Sequence, residues 1–432
     1  MSETQTSAPM QTPGSRPARS HAPFVVTLMA LSVVAFFGIA AFNVGVDPFR
    51  AFRTGFSERR FARSWVGTRR VSKGEVLRHA QCRVLLLGTS RVERGFDPAH
   101  PGLGGPEGGG FNMGLGATNM WEALRVFRYA VEHEPLEHVV LGLDMLMFNS
   151  NRQFEWDFRQ SIFNESRRFP DYRLGTLLSK YAVDSSRKVI ERTRERVSDA
   201  NDDRGFLPGG VWEGFDYRAE SAKLLRGFMS NPKSYGPYTD DGTRWAMLQE
   251  VIDTCRARGA RLTIVLPPSH ALDMEMLWVS GNWNAFESWK RGIVEMVEKD
   301  NARALAEDAG AWQISVWDFT THAGRNAEGL PRRTDGAPWV AMRDWLETSH
   351  FTRKYGDDVI ARITGVQREG REMPGDELGV RLTEASIGAH LAKLREERVL
   401  FVRAHPADAR MVQQLWEQAR KARRENVREA GG

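Results

Sequence analysis

Residues 84–91 read VLLLGTSR, from Val84 to Arg91. Val84 to Leu87 is a short, unbroken apolar run closed by Gly88, the pattern of a strand buried on both faces of a parallel sheet. Gly88 permits a tight turn. Ser90 then stands at the carboxyl end of the strand, where ligands sit in open α/β sheets. A hydroxyl in that place is positioned as a nucleophile. The simpler reading is that Thr89 and Ser90 cap the next segment, since Ser and Thr favour such positions.

Outward from this run the chain keeps an alternating rhythm. A Gly/Pro-rich loop, PGLGGPEGGG, leads to a second short strand over Phe111–Met113, and the spacing predicts an amphipathic helix over Ala117–His133. His138–Leu143 (HVVLGL) reads as another buried strand. The alternation resumes with helix Thr243–Arg258, strand Leu262–Leu266, helix Ala285–Ala309, strand Gln313–Phe319 and helix Asp357–Ile363. Strands alternating with helices of this length indicate an α/β protein with a parallel sheet. Residues 145–240 break the rhythm: they are rich in Phe, Trp, Tyr and Arg, hold a helix near Ser185–Val197, and read as a cap-like insertion. From about Leu382 onward the chain is helical and polar. Hydrophobic residues at 41 % and charged residues at 27 % are ordinary for a globular chain, and 432 residues allow a large core.

The net charge of +5 is spread along the sequence and nearly balanced by acids, which argues against a nucleic-acid-binding stripe. Two cysteines, Cys82 and Cys255, are too few for a disulfide framework or a zinc site and read as buried core residues, with a single bridge between them the alternative in an oxidising compartment. Residues 24–46, FVVTLMALSVVAFFGIAAFNVGV, form a 23-residue stretch without a charge, long enough at 1.5 Å per residue to span a bilayer. A transmembrane helix is expected there, after a disordered tail over 1–23. A cleaved signal peptide is the rival, but the run exceeds a usual h-region and lacks a small-residue cleavage site. Orientation is contested within the sequence. Arg16 and Arg19 precede the helix, whereas Arg50, Arg53, Arg59, Arg60 and Arg63 follow it, so the positive-inside rule puts the large domain in the cytoplasm.

The second chemical feature lies some 260 residues after the first: Glu347-Thr348-Ser349-His350, then Phe351-Thr352 and a helix. A serine hydroxyl needs a base to become a nucleophile, and an imidazole serves near neutral pH. The imidazole in turn needs an acid to fix its tautomer and stabilise its cation. A carboxylate three residues before the His can fold back to the ring. A solvated Glu beside a His at a helix start is the plainer alternative. Rival groupings are Asp318 with His322, also at a strand end, and Ser269-His270, which reads as a loop lining the cleft. The PGLGGPEGGG run lacks the ending of a phosphate-binding loop. The Trp and Phe of residues 154–169 could grip a glycan or acyl chain, or fill a core.

Together these stretches resemble the SGNH (GDSL-like) hydrolase superfamily, and in particular its membrane-anchored cell-envelope branch, which includes DltD-type and alginate O-acetylation-type proteins. The resemblance runs from about Asp47 to Gly365 and takes in the Asp-Pro after the anchor, GTSR, FNMGLGATN, the GLDMLMF strand end and SHFT. It implies a three-layer α/β/α sandwich of SGNH/flavodoxin-like form. The domain would occupy 83–370 with its insertion at 145–240, reached by a linker or helical stalk over 47–82 and followed by a helical extension over 371–432. By position it implies Ser90 as nucleophile, His350 as base and Glu347 as its acid, with an oxyanion hole of Ser90 and Gly114 backbone amides (Gly116 competing) and an Asn side chain. This sequence departs from the pattern. The family's Gly-x-Asn-Asp block reads Gly142-Leu143-Asp144-Met145, so Asn112 or Asn119 has to substitute, with Asn112 placed in the hole. The acid is Glu where the family has Asp. The resemblance further implies ester hydrolysis or O-acyl transfer to an envelope polysaccharide or lipid, without metal or organic cofactor. It would place the soluble domain on the periplasmic side of a bacterial inner membrane, with a membrane-bound acyltransferase as a candidate partner. The alternative is a catalytically weak SGNH-like scaffold that binds an envelope glycan. A third, a cytoplasm-facing esterase, follows from the Arg cluster alone.

Overall fold

The run at Val84–Gly88 is strand β1, and all five of its residues are buried. The computed structural model describes residues 21–430 except 63, 64, 66, 167, 197–202, 211–213, 232, 235–237 and 332–339, with backbone only for 426–430. The tail over 1–20 with Arg16 and Arg19, Arg63 of the charge count, and Val197 at the end of one expected helix lie outside the described residues.

β1 pairs in parallel with β2 (Gly110–Gly114) on one side and β3 (His138–Gly142) on the other, placing Leu86 beside both Asn112 and Val140. β4 (Arg261–Leu266) and β5 (Ser315–Asp318) continue the sheet in parallel. β6 (Trp345–Glu347) and β7 (His350–Phe351) form a separate antiparallel hairpin. β8 (Val380–Leu382) closes the main sheet antiparallel to β5, giving the order β2-β1-β3-β4-β5-β8. The fold is thus a mixed α/β protein built on a mostly parallel six-stranded sheet.

The helices in chain order are α1 (Ala22–Val46), α2 (Gly55–Arg60), α3 (Arg69–Leu77), α4 (Ser90–Gly95), α5 (Met120–His133), α6 (Phe169–Leu178) and α7 (Lys180–Arg194). They continue with α8 (Tyr217–Ser230), α9 (Thr243–Arg258), α10 (Ala271–Val279), α11 (Trp283–Glu307), α12 (Arg353–Thr364), α13 (Glu384–Ala404) and α14 (Pro406–Ala430). The most apolar stretch of α1 has a mean hydropathy of 2.5 and is unburied, so by length and composition the helix could cross a membrane.

Two boundaries differ from expectation. Residues 47–82 are no stalk, because α3 is buried from Arg70 to Leu77. Arg70 pairs with Glu122 at 2.7 Å and Asp157 at 3.2 Å, and Lys73 reaches Gly114 O at 2.5 Å and Glu93 at 3.1 Å. The charged residues of α3 find their opposite partners on other elements. Nor is the C-terminal part an appendage. Leu382, Leu391, Leu394, Phe401, Val412 and Leu415 belong to the same hydrophobic core as the sheet, and α14 packs on α8 and α10.

The insertion does two things. Its segment around Arg204 meets the open edge of β2, where Asn112 N donates to Arg204 O at 2.7 Å, so the edge is covered there. Its helices α6 and α7 pack against the end of α1, around a small separate core of Phe49, Ala51, Val71, Tyr172 and Ala182. Cys82 and Cys255 are buried free thiols, and burial pushes the Cys255 thiol up to about 12.

Candidate active site

Gly88 ends β1 because nothing larger fits: a Cβ there would stand 2.6 Å from the Val92 side chain and 2.7 Å from Gly142 O. Thr89 caps α4, its hydroxyl accepting from Arg91 N at 3.3 Å while donating to the Asp144 carboxylate. Such a cap stabilises a helix by about 1 kcal/mol. It also sets Ser90 as the first residue of α4, half-buried at the carboxyl end of β1. The chain leaves β1 for β2 on one side while β3 lies on the other, so Ser90 stands where the strand order reverses, the crevice that α/β sheets offer to ligands.

His350 and Glu347 come from the β6–β7 hairpin. His350 Nε2 lies 2.8 Å from Ser90 Oγ. Its Nδ1 hydrogen-bonds Glu347 Oε1, while Glu347 Oε2 accepts from Ser349 N at 2.6 Å. A carboxylate at Nδ1 selects the tautomer with its proton there, which leaves Nε2 to accept from the Ser90 hydroxyl. Burial opposes the charge on Glu347, but His350, the Ser349 N–H and Arg94 outweigh it and hold the carboxyl below its ordinary value. The chain of hydroxyl, imidazole and carboxylate can draw a proton from Ser90 and hold it on the ring.

Arg91 ties the two halves together. Its guanidinium pairs with Asp144, reaches Asp273 at 2.8 Å, and donates through Nε to Ser349 O at 3.2 Å, next to His350. Asp144 is therefore occupied by Arg91 and Thr89. The role of Arg91 was not read from the sequence. It follows Ser90 directly, but its partners lie 53, 182 and 258 residues away.

The expected oxyanion donors need correction. Asn112 is wholly buried and gives both amide hydrogens to Val92 O and Phe96 O at 2.8 and 2.7 Å. Gly114 N donates to Asn112 Oδ1 at 2.8 Å. The two hold each other and brace α4 against β2, so neither presents a hydrogen to Ser90. Asn119 caps α5 and donates to Arg152 O at 3.1 Å. Gly116 sits in the following turn beside Ala117, whose φ of +59° is left-handed and costs an alanine about 1 kcal/mol.

The rival groupings do not assemble as a triad. Asp318 accepts from Lys290 and from His390 at 2.8 Å, while His322 lies between the rings of Trp283 and Phe401. His270 is buried, caps α10 and bonds Glu328 O at 2.8 Å. A cavity of about 660 Å³ between β5, β8, α12 and α13 contains none of Ser90, Glu347 and His350. Of the aromatic residues at 154–169, Phe158 and Phe163 are core, whereas Trp156 is 59 % exposed. Trp156 lines a groove of about 350 Å³ with Arg152, Arg159 and Lys233. Arg152 Nε also donates to Ala117 O at 3.0 Å, joining that groove to the turn after β2. Comparison of the chain with known protein families, with curated proteins and with solved structures finds no match.

Proposed function

We propose that this protein is a membrane-anchored serine acyl hydrolase or O-acyltransferase of SGNH type, a three-layer α/β/α sandwich acting on a cell-envelope polysaccharide or lipid. The observation that carries the reading is the 2.8 Å contact from His350 Nε2 to Ser90 Oγ, with Glu347 on the other ring nitrogen, at the strand-order reversal. The strand order 2-1-3-4-5 of the parallel strands, a flavodoxin-like order, is in keeping with it.

Ser90 Oγ attacks the ester carbonyl as its proton passes to His350 Nε2, and Glu347 stabilises the imidazolium. The carbonyl oxygen becomes an oxyanion, for which the Ser90 and Gly116 backbone amides are the donors we assign. Each such donor is worth roughly 3 kcal/mol in rate. Collapse expels the alcohol, which takes the proton from His350 and leaves an acyl group on Ser90. Water or a sugar hydroxyl, deprotonated by the same imidazole, then releases it. No cofactor enters these steps. The basic groove by Trp156 and Arg152 is a suitable bed for the acceptor, because it adjoins the turn that carries Gly116.

Retention of α1 as an anchor is supported by its last turn, where Asn43 is bonded to Leu177 O and Ser186 at 2.7 Å each. A cleaved leader would take those bonds with it. We place the domain on the extracytoplasmic side of a bacterial inner membrane. Of the arginines that count against this, Arg50 and Arg53 are engaged by Asp203 in the folded domain.

A second reading is favoured by Asp144 and by the engagement of Asn112 and Gly114: a scaffold that binds an envelope glycan or docks on a membrane acyltransferase. A serine-reactive fluorophosphonate separates the two. Labelling of the wild type and not of Ser90→Ala supports the enzyme. Equal labelling of both, or none of either, favours the scaffold. Mass spectrometry of oligosaccharide acceptors incubated with an activated acetyl ester then distinguishes transfer from hydrolysis.

A further inference from the structure

α1 does not leave the domain through a loose tether. Asn43, near its end, is wholly buried between α6 and α7, its amide donating to Leu177 O and accepting from the Ser186 hydroxyl. One turn later Asp47 takes a left-handed conformation, and its carboxylate accepts from Ala51, Phe52 and Arg53 N at 2.8, 3.1 and 2.7 Å. The foot of the helix is thereby clamped to the insertion.

Around this foot the surface is unusual. Outside α1, three Phe and Trp side chains among the described residues are more than half exposed: Phe56 at 60 %, Trp156 at 59 % and Phe169 at 52 %. Phe56 and Phe169 belong to helices that pack on α1, and Trp156 reaches that group through Tyr181 of α7. Phe56 is on α2, which packs on α1. Trp156 meets Tyr181 edge-on at 5.1 Å, and Tyr181 packs on Phe49 just beyond α1 at 5.2 Å. Phe169 opens α6 and lies under the Arg173 guanidinium, which also reaches Phe52. Leu174, 49 % exposed, is on the same helix. Arg59 and Arg60 stand exposed at the end of α2.

We propose that Phe56, Trp156, Phe169 and Leu174 form a collar that lies in the headgroup–acyl boundary of the bilayer crossed by α1, seating the domain on the membrane at a fixed tilt. Aromatic rings with an apolar body prefer that boundary. Arginine beside them favours anionic headgroups. The occupant is lipid because the collar continues the exposed apolar surface of α1, where Ile39 and Phe42 remain open. The inference rests on α1 being a retained anchor.

The test uses the full chain in nanodiscs of phosphatidylcholine and phosphatidylglycerol. Single cysteines are introduced as Phe56→Cys, Phe169→Cys and Leu174→Cys. Leu400→Cys on α13, 63 % exposed, is the remote control, and Val34→Cys reports on α1 itself. Each is labelled with a small fluorophore while Cys82 and Cys255 stay buried, and spin-labelled lipids act as quenchers. We expect the labels at 56, 169 and 174 to be quenched several-fold more than the label at 400, with strong quenching at 34. Quenching at 34 with positions 56, 169 and 174 no different from 400 overturns the collar while leaving the anchor. Absence of quenching at 34 overturns both.

Discussion

Gly95→Ala, a change of one methyl group outside the triad, is expected to uncouple His350 from Ser90. Gly95 ends α4, and a Cβ there would stand 1.9 Å from Phe351 Cε2 and 2.5 Å from its Cζ. An ordinary carbon contact is about 3.5 Å, so the ring has to retreat by roughly 1.5 Å. It has little room, being flanked by the rings of Phe96, Trp345 and Tyr355 at 5.7, 6.3 and 5.8 Å. Phe351 follows His350 directly on β7, so the strain falls on the hairpin that carries the base. Overpacking of this kind costs about 1–3 kcal/mol, which a chain of this size can survive. A displacement of about 1 Å at reacting groups costs on the order of 100-fold in rate. The assay is the rate of fluorophosphonate labelling of the full chain in detergent, beside its thermal unfolding. Folded Gly95→Ala is expected to label about 100-fold slower than wild type. Adding Phe351→Leu, which removes the two closest ring atoms, should restore part of the rate. Labelling at the wild-type rate by folded Gly95→Ala would refute the idea that this packing holds His350 against Ser90.

Three further expectations can be checked independently. Glu347→Gln keeps the shape but loses the charge that orients His350 and stabilises its cation, so labelling and ester hydrolysis should fall roughly 10³–10⁴-fold with KM little changed; a loss below tenfold contradicts the role given to Glu347. Burial pushes the Asp273 carboxyl up to about 7 against the pull of Arg91, with the charges of Glu347 and Asp144 adding to the rise. A carboxyl raised on folding favours the folded state below its unfolded value near ~4, and that contribution is lost as pH rises through about 7. Melting temperatures at pH 5 and pH 8 should therefore differ less for Asp273→Asn than for wild type, and an unchanged difference would count against it. Lys73→Met strips Glu93 of its buried partner, both side chains being fully enclosed, and should cost about 3–5 kcal/mol in chemical denaturation; a cost under 1 kcal/mol would show that Arg69 alone suffices.

Local chemistry was legible from the chain alone. An unbroken apolar run such as Val84–Leu87 has only a doubly covered strand to go to, and the helix over Thr243–Arg258 begins and ends where read. Glu347 and His350 are close enough in sequence for one short hairpin to join them, so that half of the site was local as well. What stayed hidden depends on partners far along the chain. β8 is three residues with one buried leucine, too short to carry a period. α10, with its apolar residues nearly unbroken, shows no helical face. Arg70, Lys73 and Arg91 look like solvated charges until Glu122, Glu93 and Asp144 are brought against them.

The oxyanion donors are the sharpest case. Asn112 and Gly114 were chosen by motif, but which amide faces Ser90 depends on hydrogen bonds that no spacing encodes, and Val92, Phe96 and each other had already claimed them. By itself the sequence determined the apolar helix and the parallel α/β rhythm, because these follow from hydrophobic period, and it put Glu347 within short-range reach of His350; Ser90, His350 and Glu347 were singled out as a set by resemblance. Tertiary structure decided the rest: that Ser90 and His350 meet across 260 residues, that Trp65, Val76 and Leu77 share one core with the C-terminal helices, and that α1 is clamped to the insertion. Those outcomes rest on long-range contacts, whose energy exists only once the chain has closed.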